Sequence, residues 1–132
     1  YLPMWLSSLT DPQRRAFLGL AHNTVVSDGL LDPNEELMME QFKREMALTE
    51  DGDPDYIDLE EIEGVFDSRR AQRIALVNLI HLSYADGAFE IEEQCLLRDL
   101  ADRFGVEDVE FALLENWVKR LTRLEEEGKG LL

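Results

Sequence analysis

Cysteine is nearly absent from this chain. Cys95 is the one thiol in 132 residues, so neither an intramolecular disulfide nor a cysteine-rich zinc site can form, and a reducing compartment fits that usage. Proline, at four residues, and glycine, at eight, are too few for a collagen-like or low-complexity chain. Positive charge is also scarce: 13 Lys and Arg stand against 29 Asp and Glu, a formal charge of −16. That balance argues against nucleic acid and anionic membrane surfaces as partners, because both recruit Lys and Arg to phosphate. Long apolar runs are missing as well. The longest, Ile74–Leu82, covers about half of the ~18 residues a membrane-crossing helix needs, and it carries Asn78 and His81. The chain opens on Tyr1 rather than Met, which leaves room for a targeting or anchoring segment upstream.

What is present suits one folded domain over residues 1–132, with 45% hydrophobic and 32% charged residues. Ala16, Phe17, Leu20, Ala21 and Val25 recur at three- and four-residue steps behind Asp11 as N-cap and Pro12 at the first helical position. This predicts a helix over about 12–27. Gly29 stops it, Asp32 and Pro33 restart the chain, and Leu37, Met38, Phe42 and Met46 mark the next buried stripe. Residues 49–58 gather Gly, Pro and five acids without a base and read as a loop. A short helix around Leu59–Phe66 leads to Asp67 or Ser68, either able to cap a helix carrying Ile74, Leu76, Val77, Ile80 and Tyr84 that stops at Asp86-Gly87. Two more helices follow, one from about Ile91 to Phe104 ending at Gly105, and one from about Glu107 carrying Phe111, Leu114, Trp117, Val118 and Leu121. The N-terminal LPMWLSS adds a short docking turn. With no strand-period alternation of useful length, the fold class is all-α, a compact helical bundle.

A shift of 58 residues lays Asp28-Gly29-Leu30-Leu31-Asp32-Pro33-Asn34-Glu35 over Asp86-Gly87-Ala88-Phe89-Glu90-Ile91-Glu92-Glu93. Both read D-G-x-x-[DE]-x-x-E. The match continues in character: Met38, Met39, Phe42 and Met46 face Leu96, Leu97, Leu100 and Phe104, and Leu18 faces Leu76 upstream. Duplication of a helical hairpin, over about 12–47 and 70–105, is the simplest explanation. With SDGLLDPNEE and YADGAFEIEE at two helix corners, the chain resembles the TerB-like family of tellurite-resistance and stress-response proteins over about residues 12–105. The resemblance implies an all-helical fold and a bacterial stress role, cytosolic or membrane-associated. It also implies divalent-cation binding by clustered acids, and no known reaction. A similar domain precedes the J domain of some membrane-linked co-chaperones, but no His-Pro-Asp tripeptide occurs here.

Two readings of the corner acids stand side by side. Asp32 with Glu35, and Glu90 with Glu93, have the layout of a helix cap and its reciprocal partner. Glu is nevertheless a poor N-cap, and Asp28 and Asp86 sit near a helix C-terminus, where negative charge opposes the macrodipole. The following helix N-terminus or a bound cation offsets that charge. An all-oxygen set of Asp28, Asp32, Glu35, Asp86, Glu90 and Glu93 selects Mg²⁺, Ca²⁺ or Mn²⁺ over Zn²⁺. Residues 51–62 are no EF-hand, since Tyr56 replaces the loop glycine and Ile62 the closing Glu.

His22 and His81 read as half-buried helical residues off the carboxylate face. Cys95 reads as a packed thiol, and Met38, Met39 and Met46 as core. Arg69, Arg70 and Arg73, with Lys119, Arg120 and Arg123, read as solvated or salt-bridged faces, with contact to an acidic partner as the lesser alternative. The leading function is a non-enzymatic module that holds a divalent ion at the acidic corners and signals to a protein partner. A metal-independent interaction scaffold is the alternative. A metal-dependent hydrolase ranks last, for want of a nucleophile and base pair or a phosphate-cradling loop. Tellurite is itself an anion, so a chain of −16 has no electrostatic reason to bind it.

Overall fold

The computed structural model describes residues 5–26, 33–47, 61–84 and 91–132, with 24–26, 33–35 and 91–93 at the level of the backbone. A 3-10 turn at Leu6–Ser8 precedes α1 (Asp11–Val26), α2 (Pro33–Glu45), α3 (Ile62–Val65), α4 (Arg69–Ser83), α5 (Ile91–Arg103) and α6 (Asp108–Leu131). Among the described residues there is no strand. The all-α expectation holds, and the N-terminal turn docks as expected, with Leu6 fully buried.

The starts of α1 and α4 follow hydroxyl chemistry. The N-cap expected at Asp11 falls on Thr10 instead: its amide donates to Gln13 Oε1 at 3.0 Å, and the Gln13 amide donates back to Thr10 Oγ1 at 3.4 Å. That reciprocal pair satisfies two amides at once, so it displaces a lone Asp, and Asp11 becomes a first-turn charge 3.9 Å from Arg14. Gln13 is buried, and its amide nitrogen reaches the Val65 carbonyl at 3.1 Å, which ties α1 to α3. Of the two candidates for the later cap, Ser68 serves, its Oγ accepting from the Ala71 amide at 3.1 Å.

Helix exits are matched too. Ala47 and Gly105 follow α2 and α5 in the left-handed region, with φ of 56° and 71°. Met46 N donates to Phe42 O and Phe104 N to Leu100 O, each at 3.0 Å. Ala47 N donates to Arg44 O and Gly105 N to Asp102 O, each at 3.1 Å. Each of these features lies 58 residues from its counterpart.

Packing is reciprocal around α1 and α4, which lie against each other. Each also holds the next helix of its own hairpin, and α1 touches α5 as α2 touches α4. The N-terminal turn leans on α4, and α3 leans on α1. Further, α6 lies along α4, which is consequently buried at every residue from Ile74 to Ser83. A helix enclosed on all sides needs apolar residues all round, and the run at Ile74–Leu82 supplies them. Edge-to-face aromatic pairs fill both halves of the core, Phe17 with Phe42 at 5.2 Å and Phe66 with Phe104 at 5.7 Å between ring centroids.

Two burial expectations are corrected. Leu37 is 57% exposed, and Cys95, its counterpart, is exposed rather than packed. At 100° per residue Leu37 lies roughly 140° and Cys95 roughly 170° from the centre of its helix's buried face, so angular position overrides residue type. Met38, Phe42 and Met46 are buried as expected, with Met39 partly buried against them.

Candidate functional site

The six acids expected as ligands fall at equivalent places. Asp28 and Asp32 belong to the connection 27–32 between α1 and α2, and Asp86 and Glu90 to the connection 85–90 between α4 and α5. All four lie outside the described residues. Glu35 and Glu93 stand in the first turns of α2 and α5, where the backbone is helical and the side chains are likewise outside the description. The acidic loop at 49–58 also lies outside the described residues. Ile62, at the closing position of the rejected EF-hand pattern, is fully buried in α3 and is core, not ligand.

Charge is segregated along both hairpins. From residue 16 to residue 42 there is no Lys or Arg and there are five acids; from 74 to 97 there is again no Lys or Arg, with four acids. Arg14 of α1 and Arg69 and Arg73 of α4 are engaged near the opposite ends of those helices. Arg73 grips Glu110 on α6 through Nε at 2.7 Å and Nη2 at 2.8 Å, and Arg69 approaches the same carboxylate at 3.3 Å. Arg73 beside it, with Arg69 adding to the field, holds the Glu110 carboxyl below the usual range. Arg14 binds the carbonyls of Ser7, Leu9 and Met46 at 2.7, 3.0 and 2.8 Å, clamping the N-terminal turn to the end of α2. The basic clusters at 69–73 and 119–123 are therefore salt-bridged faces in part, as expected, since Lys119 also sits 3.1 Å from Glu115.

Carboxylates gathered on stretches without cations repel one another unless a helix N-terminus, a cation or a basic group compensates. The donor set in the two connections and the helix turns after them is oxygen only, which fits a hard divalent ion and does not fit zinc. Among the described residues no group of three or more His, Cys, Asp or Glu is placed to hold a metal. Among them, too, no helix is long and apolar enough to cross a membrane.

The end of α4 leading into the second connection has neighbours that were not expected. His81 is 4% exposed rather than half-buried, and its Nε2 lies 3.5 Å from Glu125 Oε1 on α6. Burial pushes its imidazole below the ordinary value, and the facing Glu125 pulls the other way. One turn's distance on, the Tyr84 hydroxyl donates to Glu115 Oε1 at 3.4 Å while Lys119 Nζ stands 5.9 Å from the ring centroid. Burial, and then Glu115, raise the Tyr84 phenol. One signal for the His81 contact was available: Glu125 falls four residues after Leu121 and seven after Val118, on the buried stripe of α6. His22 is half-buried, as expected.

Two helical hairpins, packed through their first helices and joined within by acidic connections that contain Asp-Gly, define an acidic all-α bundle class of domain. The chain belongs to the TerB family: the family model described as tellurite resistance protein TerB matches residues 40–116, more than half of the chain. That span takes in the second hairpin with its 85–90 connection and the start of α6, and leaves the Asp28-Gly29 corner outside it. No curated protein matches the chain, and no solved structure does.

Proposed function

We propose that this TerB-family chain is a non-catalytic module whose two corners, Asp28, Asp32, Glu35 and Asp86, Glu90, Glu93, take up a divalent cation, Mg²⁺, Ca²⁺ or Mn²⁺. In this reading the hairpins are a duplicated unit, and the bundle passes the state of its corners to a protein partner in a tellurite-resistance or stress context. The observation that carries the reading is the charge segregation: nine acids lie on two stretches with no Lys or Arg, at the same place in both hairpins. Neutralising the corners stabilises the folded chain by removing repulsion there, and draws the end of one helix toward the start of the next. By mass action the gain reaches about 2.7 kcal/mol at a hundredfold excess of ion over its dissociation constant. Any contribution to tellurite resistance is indirect, because the anion meets a chain of −16.

The test is the unfolding midpoint with chelator and then with millimolar Mg²⁺, Ca²⁺, Mn²⁺ or Zn²⁺ at matched ionic strength, for the wild type and an Asp28→Asn, Asp86→Asn double variant. A rise with one of the hard ions that the double variant loses is the expected result. Equal midpoints in all conditions would overturn cation binding and leave a metal-independent scaffold whose acids cap helices.

A further inference from the structure

Of the eight large apolar side chains that stand exposed among the described residues, five belong to α6, Leu132 directly follows it, and Trp5 places its ring 6.2 Å from that of Trp117 on α6. Val109, Leu113, Trp117, Leu124 and Leu131 are 72%, 64%, 36%, 62% and 87% exposed. At 100° per residue all five fall within an arc of about 80°. The opposite face, with Phe111 and Val118 buried and Leu114 and Leu121 partly so, is the one that packs against the bundle. Both faces of this helix of 24 residues, about 36 Å long, are therefore apolar, and among the described residues only one is covered by the rest of the bundle.

We propose that the outer face of α6 is a self-association surface, on which two copies of this chain pair their α6 helices antiparallel with Leu124 of each at the twofold axis. Charge selects the occupant. Residues 119–132 hold four Lys and Arg and three Glu, a local charge of +1, which leaves −17 on the rest of the chain. Approach of a second copy is least opposed along this segment. At about 0.15 M salt, where charges more than ~8 Å apart are largely screened, groups in direct contact outweigh the remote repulsion.

Charge order also selects the direction. Beside the outer face the bases Arg120 and Arg123 come first and the acids Glu126 and Glu127 follow, Glu125 being turned inward to His81. Parallel pairing sets Arg120 against Arg120 and Glu127 against Glu127, whereas antiparallel pairing sets Arg120 and Arg123 beside the second copy's acids. With Leu124 packed on its own copy, Trp117 meets the second copy's Leu131, and Arg120 lies next to the second copy's Glu127. The patch is then self-complementary, as a twofold interface requires. Each bundle lies on the inner side of its own α6, so the pair of helices stands between the two bundles.

The experiment is sedimentation equilibrium with light scattering on the 132-residue chain, as wild type, Leu124→Glu, Arg120→Glu and Arg120→Glu with Glu127→Arg, each checked for helical circular dichroism. The wild type is expected to dimerise with rising concentration and Leu124→Glu to remain a folded monomer, its side chain being exposed in a single copy. Arg120→Glu is expected to weaken the dimer by about tenfold, equivalent to about 1.4 kcal/mol, and the added Glu127→Arg to recover it. A wild type that is monomeric at every concentration, as when a different protein or a further segment covers this face, overturns the proposal. So does a dimer that survives Leu124→Glu, or a charge reversal that restores nothing.

Discussion

Asn23 on α1 and His81 on α4 stand 58 residues apart at matching steps of the two hairpins; the first is exposed and the second is buried. Upstream, Leu20 and Asn78 match as well, both buried, and Asn78 turns its amide inward to the Ile74 carbonyl at 2.7 Å. The helices start and finish alike, capped by Thr10 and Ser68, and their partners α2 and α5 exit through Ala47 and Gly105. The difference is α6, which lies along α4 and brings Glu125 to His81 and Glu115 to Tyr84. Local sequence therefore builds two equivalent hairpins, and a third packing element makes one of them the centre of the molecule.

The largest expected effects test the equivalence itself. Phe42→Ala and Leu100→Ala remove matched side chains that are 0% and 1% exposed, at costs of about 3–5 and 2–5 kcal/mol. Urea unfolding reads both, and a loss below about 1 kcal/mol at either site would break the comparison. Removing the cap hydroxyls comes next: Thr10→Ala and Ser68→Ala are each expected to cost about 1 kcal/mol by the same measurement.

The helix exits differ in one residue, and that difference sharpens the pair. A Cβ at Gly105 would meet nothing within 4 Å, so Gly105→Ala costs only the left-handed backbone, about 1 kcal/mol. At the matching site Ala47 already bears that strain, and Ala47→Gly is expected to stabilise by about 0.5–1 kcal/mol in urea unfolding.

The pH dependence of stability separates the hairpins most finely. The folded chain holds His81 below the ordinary imidazole value, chiefly by burial, while the unfolded chain takes the proton near pH ~6.5. The unfolded state therefore binds more protons as pH falls. Stability is full above about 6.5 and declines below it. His81→Asn, which installs the residue of the first hairpin, is expected to flatten that limb, and Asn23→His at the exposed counterpart to add no comparable slope. Loss of the Arg73 to Glu110 pair comes at lower pH, as the carboxylate, depressed in the folded chain, is protonated below its ordinary value of about 4.3. Thermal midpoints between pH 8 and pH 3 distinguish the two limbs.

Much of the fold was legible because it is local. Helix positions, the glycine exit at Gly105, the Ser68 cap and the buried run at Ile74–Leu82 each follow from periodicity or from one residue's backbone chemistry. The candidate corners were legible as a repeated motif, since D-G-x-x-[DE]-x-x-E recurs at a fixed spacing. Leu37 and Cys95 are exposed despite an apolar or sulfur side chain, because the angle of each on its helix points away from the neighbours. The His81 to Glu125 contact spans 44 residues and needs the docking of α6, which no window of sequence contains.

Sequence by itself determined the all-α class, the paired acidic motif, the family and the charge of −16, because composition, helical period and spacing are properties of the chain before it folds. Only the tertiary structure decided which of two similar hairpins is enclosed, where His81 finds its carboxylate, and which face of α6 stays uncovered. Those outcomes depend on which helix packs against which, and burial, desolvation and long-range ion pairs come into existence only with that packing.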